Sequence, residues 1–208
     1  RLSSFICSGK QEENKEEGPN FYQTYTPKIM LNKRIGYYEN VIPTDLCKEI
    51  LSYPWHWKES TYSNDSGVKS NSQNRVLMDE VWVNDLNRPY PRVKDSVLEI
   101  MRLYAIEHER FACIHHTDFR VNRYGVGGFM SLHHDNIHHS HSQQYGYPQA
   151  TVLLFINDDY EGGEFIVADN TYETKAGSGI IFPSNFMFPH EVKPVTKGER
   201  WSLVSWLM

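Results

Sequence analysis

Apolar positions divide this chain into a polar opening, a middle with helical periodicity and a final third that alternates as strands do. Ser8 to Asn20 is charged, has no large apolar side chain and is bounded by Gly and Pro, so residues 1–20 are predicted to be a flexible leader. Tyr22 to Val41 holds two short β-prone stretches. Leu46, Cys47, Ile50 and Leu51 then recur at helical spacing. Thr44 stands ready to cap that helix and Asp45 favours its positive end. Lys58 to Asn74 is rich in Ser and Asn and reads as loop, Arg75 to Val83 regains strand character, and Asn84 to Pro91 is turn-like. Val93, Val97, Ile100, Met101 and Tyr104 share one helical face, which predicts a helix over 92–109 packed on a sheet.

From Cys113 onward the pattern predicts eight short strands, at 116–124, 129–135, 150–157, 164–168, 172–175, 178–182, 188–193 and 199–207. Asn136 to Gln149 interrupts them with a mostly polar and aromatic stretch long enough to serve as a functional flap. Two helices followed by strands predict a mostly β fold: a double-stranded β-helix of the jelly-roll, cupin-like kind, buttressed by two helices from the N-terminal half. Residues 21–208 are expected to form a single domain, with 21–110 as a helix-containing support region and 111–208 as the jelly-roll core.

Composition narrows the partners. The 208 residues are 39% hydrophobic with a net charge of −5. That balance lacks the basic footprint of a duplex nucleic-acid binder, so no nucleic-acid partner is expected. No run of about 18 apolar residues is present to span a bilayer, and no signal-peptide apolar segment appears. Cys7, Cys47 and Cys113 are odd in number and far apart, which argues against a disulfide framework and for a reducing, cytoplasmic setting.

The chemistry concentrates near the C-terminus. In Ser131-Leu-His-His-Asp-Asn, His133 and Asp135 lie two apart, so an extended strand puts both on one face. With His190 they make two imidazoles and one carboxylate, the facial set that leaves positions open on non-haem Fe(II). His133 is preferred to His134 because only His133 has the two-residue offset from Asp135. His138, His139 and His141 read as a crowded solvated loop. Arg200 opens an alternating strand whose parity turns Arg200, Ser202, Val204 and Trp206 to one face, and its planar guanidinium suits a two-bonded grip on a carboxylate.

Three stretches together resemble the Fe(II)- and 2-oxoglutarate-dependent dioxygenases, and among them the prolyl 4-hydroxylases. They are Tyr124 to Asp135, Ala150 to Phe165 with its Gly162-Gly163 turn, and His190 to Leu207. The resemblance implies that His133, Asp135 and His190 hold Fe(II). It also implies that Arg200 binds the far carboxylate of 2-oxoglutarate and that Tyr124 and Ser202 flank that cosubstrate. O2 would be the oxidant and ascorbate a supporting reductant. The expected reaction hydroxylates an unactivated C–H bond, at C4 of a prolyl residue in a peptide or protein, releasing succinate and CO2. Arg75, Trp82 and Trp206 are candidate substrate contacts. Arg200 stands where many collagen-type members carry Lys and oxygen-sensing members carry Arg, while Phe155 and Met130 stand where relatives often carry a hydroxylated aromatic. A nucleobase-repair dioxygenase with the same iron site and a non-catalytic metal-binding barrel remain as alternatives.

Overall fold

The computed structural model describes residues 31–60, 75–136 and 147–208, together with the backbone of 62–63 and 69–70. The leader expected at 1–20 and the histidines 138, 139 and 141 lie outside the described residues. In chain order the support region holds a 3-10 turn at Leu31–Arg34, β1 (Gly36–Tyr38), α1 (Thr44–Ser52), β2 (Lys58–Glu59), β3 (Tyr62–Ser63), β4 (Lys69–Ser70), β5 (Val76–Leu77), β6 (Asp79–Val83) and α2 (Tyr90–Glu107). The C-terminal half holds β7 (Phe119–Tyr124), β8 (Phe129–His133), β9 (Ala150–Phe155), β10 (Glu161–Gly162) and β11 (Phe165–Val167). After these come β12 (Asn170–Tyr172), β13 (Gly179–Pro183), β14 (His190–Val192), β15 (Val195–Lys197) and β16 (Arg200–Leu207).

Two antiparallel sheets face one another. The larger runs β1-β13-β9-β16-β7-β6-β2 and the smaller β12-β11-β14-β8-β5. Alternation along the strands supplies two cores. Leu153, Phe155, Ile180, Phe182 and Val204 from the large sheet meet Phe165, Val167 and Val192 from the small sheet, filling the space between them. Val121, Val152, Leu154, Ile181 and Leu203 point the other way, onto Leu46 and Ile50 of α1 and Val93, Val97 and Ile100 of α2. This is the predicted jelly roll with its two helical buttresses. Gly179 makes room for α2, since a Cβ there would stand 2.9 Å from Ile100 Cδ1 and 2.7 Å from Leu154 Cδ2 of β9.

Several local expectations are corrected. Thr44 is the first helical residue; Pro43 takes the cap position and no side chain caps it. Leu51 lies on the exposed side of α1, away from Leu46, Cys47 and Ile50. α2 begins two residues earlier than predicted because Pro91 is tolerated in a first turn, where its missing N–H has no intrahelical partner to lose. Arg75 to Val83 splits at Met78: β5 joins the small sheet beside β8 while β6 joins the large one beside β7. The strand expected at 172–175 sits at 170–172. It forms a hairpin with β11 through Ala168 and Asp169, both at positive φ, a turn that Ala-Asp does not advertise. β10 and β15 pair with each other and were missed because two or three residues are too few to show alternation.

Candidate active site

The register of antiparallel β8 and β14 sets His133 directly against His190. The two are therefore cross-strand neighbours within the small sheet. Each ring is oriented by its own backbone: His133 Nδ1 lies 2.8 Å from the Ser131 carbonyl and His190 Nδ1 3.2 Å from that of Phe188. Nδ1–H donates in both, which turns each Nε2, the atom that would ligate a metal, toward Asp135.

Both Nε2 atoms face Asp135, His133 at 3.5 Å from Oδ1 and His190 at 3.4 Å from Oδ2. One donor atom from each of the three residues lies within 4.8 Å of the others. Three electron-rich atoms this close repel unless a proton or cation lies among them. Burial alone would raise the Asp135 carboxyl. The two imidazoles, through charge and hydrogen bonding, hold it well below the usual carboxylate range.

β8 stops at His133, so Asp135 is not aimed by strand geometry alone. Its N–H donates to the Ser184 carbonyl at 3.2 Å. Thr151 Oγ1 on β9 donates to Asp135 Oδ2 at 2.7 Å and lies 2.8 Å from Ser184 Oγ. Sequence reading missed Thr151 and Ser184. The available signal was a single hydroxyl in the otherwise apolar Ala150–Phe155, because a buried hydroxyl in a core strand needs a partner.

Arg200 lies on the opposite sheet. It is fully buried, pairs with Tyr124 in the β16–β7 register, and donates from Nη1 to Ser202 Oγ at 3.1 Å. Its guanidinium carbon is 5.2 Å from the Tyr124 ring centroid and 5.7 Å from that of Phe155. Nε and Nη2 are buried and have no partner among the described residues. An unpaired buried cation is costly, so the geometry fits an anion supplied from the cavity. Burial raises the Tyr124 phenol pKa, offsetting the pull of Arg200, and the ring stays neutral. Gly162 and Gly163 both take positive φ, as the turn reading required, and a Cβ on Gly163 would stand 2.9 Å from Arg200 Cδ.

One cavity is lined by His133, Asp135, His190, Tyr124, Ser202 and Trp206; Arg200 itself does not line it and reaches it through its neighbours Tyr124 and Ser202. Trp206 is thus wall, as strand parity indicated. Trp82 is 39% exposed with its ring 6.0 Å from Trp206, beside the cavity and not lining it. Arg75 is exposed just before β5, where its carbonyl accepts from Ser131 N–H at 2.8 Å.

The jelly roll thus sets two imidazoles on one sheet, and a carboxylate just past the end of β8, opposite a buried guanidinium on the other sheet. Residues 119–208 match the family model of the 2OG-Fe(II) oxygenase superfamily. The chain is similar to that superfamily over this stretch, under half of its length, and shares the fold of solved prolyl hydroxylases. It is 44% identical over 61 residues to a PKHD-type hydroxylase of Alteromonas mediterranea, covering 27% of this chain and 26% of the relative. Prolyl 3-hydroxylase 2 of Homo sapiens is 41% identical over 69 residues, covering 30% and 10%. The chain thus spans well under half the length of these curated relatives. Among solved structures, a Pseudomonas putida prolyl-4-hydroxylase superposes with a TM-score of 0.63 at 18% identity, covering 84% of this chain and 91% of that one. A Trichoplax adhaerens prolyl hydroxylase, in complex with a hypoxia inducible factor oxygen degradation domain peptide fragment, gives 0.66 at 16% identity, covering 86% and 85%. Among the described residues no helix is long and apolar enough to cross a membrane.

Proposed function

We propose that this chain is an Fe(II)- and 2-oxoglutarate-dependent dioxygenase that hydroxylates a prolyl residue, at C4, in a peptide or protein. The observation that carries the reading is the pairing of three ligand atoms within 4.8 Å of one another with a buried guanidinium on the facing sheet, beside the cavity-lining Tyr124 and Ser202, that has two N–H groups unmet among the described residues. His133, Asp135 and His190 would hold Fe(II), and Arg200 would hold the far carboxylate of 2-oxoglutarate, with Tyr124 and Ser202 beside it. Ser202 Oγ, by accepting from Nη1, turns the remaining guanidinium N–H groups toward that carboxylate. Leu153, Phe165, Phe182 and Val204 keep this part of the cavity dry, which strengthens the charge pairing and limits side reactions.

When bound, Fe(II) and 2-oxoglutarate would supply the oxidising power that, with O2, puts a hydroxyl on an unactivated C–H bond and releases succinate and CO2. No side chain needs to act as general base. Relatives named as prolyl hydroxylases support a proline-containing acceptor, and the free thiols of Cys47 and Cys113 fit a reducing, cytoplasmic setting.

The test is mass spectrometry of a proline-containing peptide panel incubated with Fe(II), 2-oxoglutarate and ascorbate, with succinate followed in parallel. The expected product is heavier by one oxygen atom, and fragment analysis distinguishes C4 from C3. His133→Ala and Asp135→Ala should abolish succinate formation. Unchanged rates in either variant would remove the metal assignment.

A further inference from the structure

β7 turns Arg120, Asn122 and Tyr124 into the cavity. Register pairs Tyr124 with Arg200, Asn122 with Ser202 and Arg120 with Val204. Arg120 therefore stands at the far end of the row, about 13 Å along the strand from the residue opposite the anion clamp. Its guanidinium carbon lies 4.9 Å from the Trp206 ring centroid, and its Nη1 is 3.5 Å from Glu80 Oε2. Ser60 Oγ donates to that same oxygen at 2.7 Å.

With Glu80 beside it, the charge of Arg120 is already offset, so this end of the cavity does not call for a bare anion. What is unmet is finer. Arg120 Nε–H and Asn122 Oδ1 are both buried without a partner among the described residues, and Asn122 is only 2% exposed. One orphan donor and one orphan acceptor thus lie two residues apart on the same cavity-facing side of β7. A carboxylate or phosphate offers acceptors alone; it would satisfy Arg120, leave the Asn122 oxygen unmet and face Glu80 at close range. A secondary amide offers a carbonyl and an N–H together. Leaving either buried group unpaired is expensive, so the complementary ligand gains most.

Resting on the dioxygenase reading above, we propose that Arg120 and Asn122 are specificity-determining residues that read a peptide unit of the acceptor. Arg120 Nε–H donates to a backbone carbonyl and Asn122 Oδ1 accepts a backbone N–H. The acceptor enters as a peptide chain, not as a free amino acid or small acid. Because proline nitrogen carries no hydrogen, the N–H that is read belongs to a neighbouring residue.

The experiment is an ester scan on protein loaded with Mn(II) and 2-oxoglutarate, with peptide affinity measured by calorimetry. In capped, proline-centred hexapeptides each backbone amide is replaced in turn by an ester, which removes one N–H. One ester position should weaken binding about tenfold, and Asn122→Leu should erase that position's penalty while leaving the other positions unchanged. Asn122→Ala gives the same reading if the Leu variant does not fold. Arg120→Met should weaken the all-amide peptide by about tenfold or more. The proposal is overturned if no ester costs more than about twofold, if the penalty persists without Asn122, or if acetyl-proline binds as tightly as the peptides. It is likewise overturned if no hexapeptide binds. Titration of Mn(II) and 2-oxoglutarate alone reports on the dioxygenase reading: failure there with ester discrimination intact sinks that reading and leaves this one standing.

Discussion

Gly163 lies against Arg200 so closely that a Cβ at 163 would stand 2.9 Å from Arg200 Cδ and 3.0 Å from Val195 Cγ2. The second glycine of the Gly162-Gly163 pair therefore does more than turn the chain. It leaves the volume that the arginine stem occupies beneath Tyr124 and Ser202.

Gly163→Ala is expected to shift the guanidinium and strain a backbone held at φ +67. The 2-oxoglutarate concentration for half-maximal succinate formation should rise about tenfold or more, with Fe(II) binding little changed, because no metal ligand is among the groups a Cβ at 163 would meet. Steady-state kinetics beside a metal titration checks it. Equal loss of both would mean that the variant disturbs the whole site.

Thr151 fixes Asp135 from β9. Thr151→Val keeps the shape and removes the donor, leaving Asp135 Oδ2 one hydrogen bond short. Metal affinity should fall about 10–100-fold, measured by equilibrium titration with Fe(II) under anaerobic conditions. Unchanged affinity would show that the Ser184 backbone alone holds the carboxylate.

Ile100 is fully buried where α2 meets the glycine of β13. Ile100→Ala should cost about 2–5 kcal/mol in urea unfolding with an unchanged slope, since it opens a cavity between helix and sheet. A cost near zero would mean that α2 is not a structural buttress.

Burial pushes the Cys47 thiol up to about 11. The sign follows from linkage: the folded state holds this proton more tightly than the unfolded chain, whose thiol titrates near about 8.5. The stabilising contribution is complete below about pH 8.5 and is lost as pH rises toward the folded value. The gap in unfolding midpoint between the protein and Cys47→Ala should therefore narrow from pH 8 to pH 11. Alkylation of Cys47 in the folded protein at pH 8 should be slow. Fast labelling at that pH would contradict the burial.

The two helices, most of the strands, and the candidate set of His133, Asp135, His190 and Arg200 were legible because each leaves a local mark. Val93, Val97 and Ile100 repeat at the helical period, Arg200 to Trp206 alternates, and His133 and Asp135 keep a fixed offset. Strand parity also separated the cavity side of β16 from its helix side, since alternation is a property of the strand itself.

What the order of residues could not decide was which strands become neighbours. That choice placed His133 beside His190 in one sheet, split Arg75 to Val83 between two sheets, and brought Thr151 to Asp135 and Asn122 into line with Ser202. Such pairings join residues far apart in sequence. They are selected by the burial of whole sheet faces and by the packing of α1 and α2, energies that no short window of the chain contains. The sequence by itself determined the chemical types available; the tertiary structure decided which of their hydrogen-bonding atoms were left unpaired in the cavity.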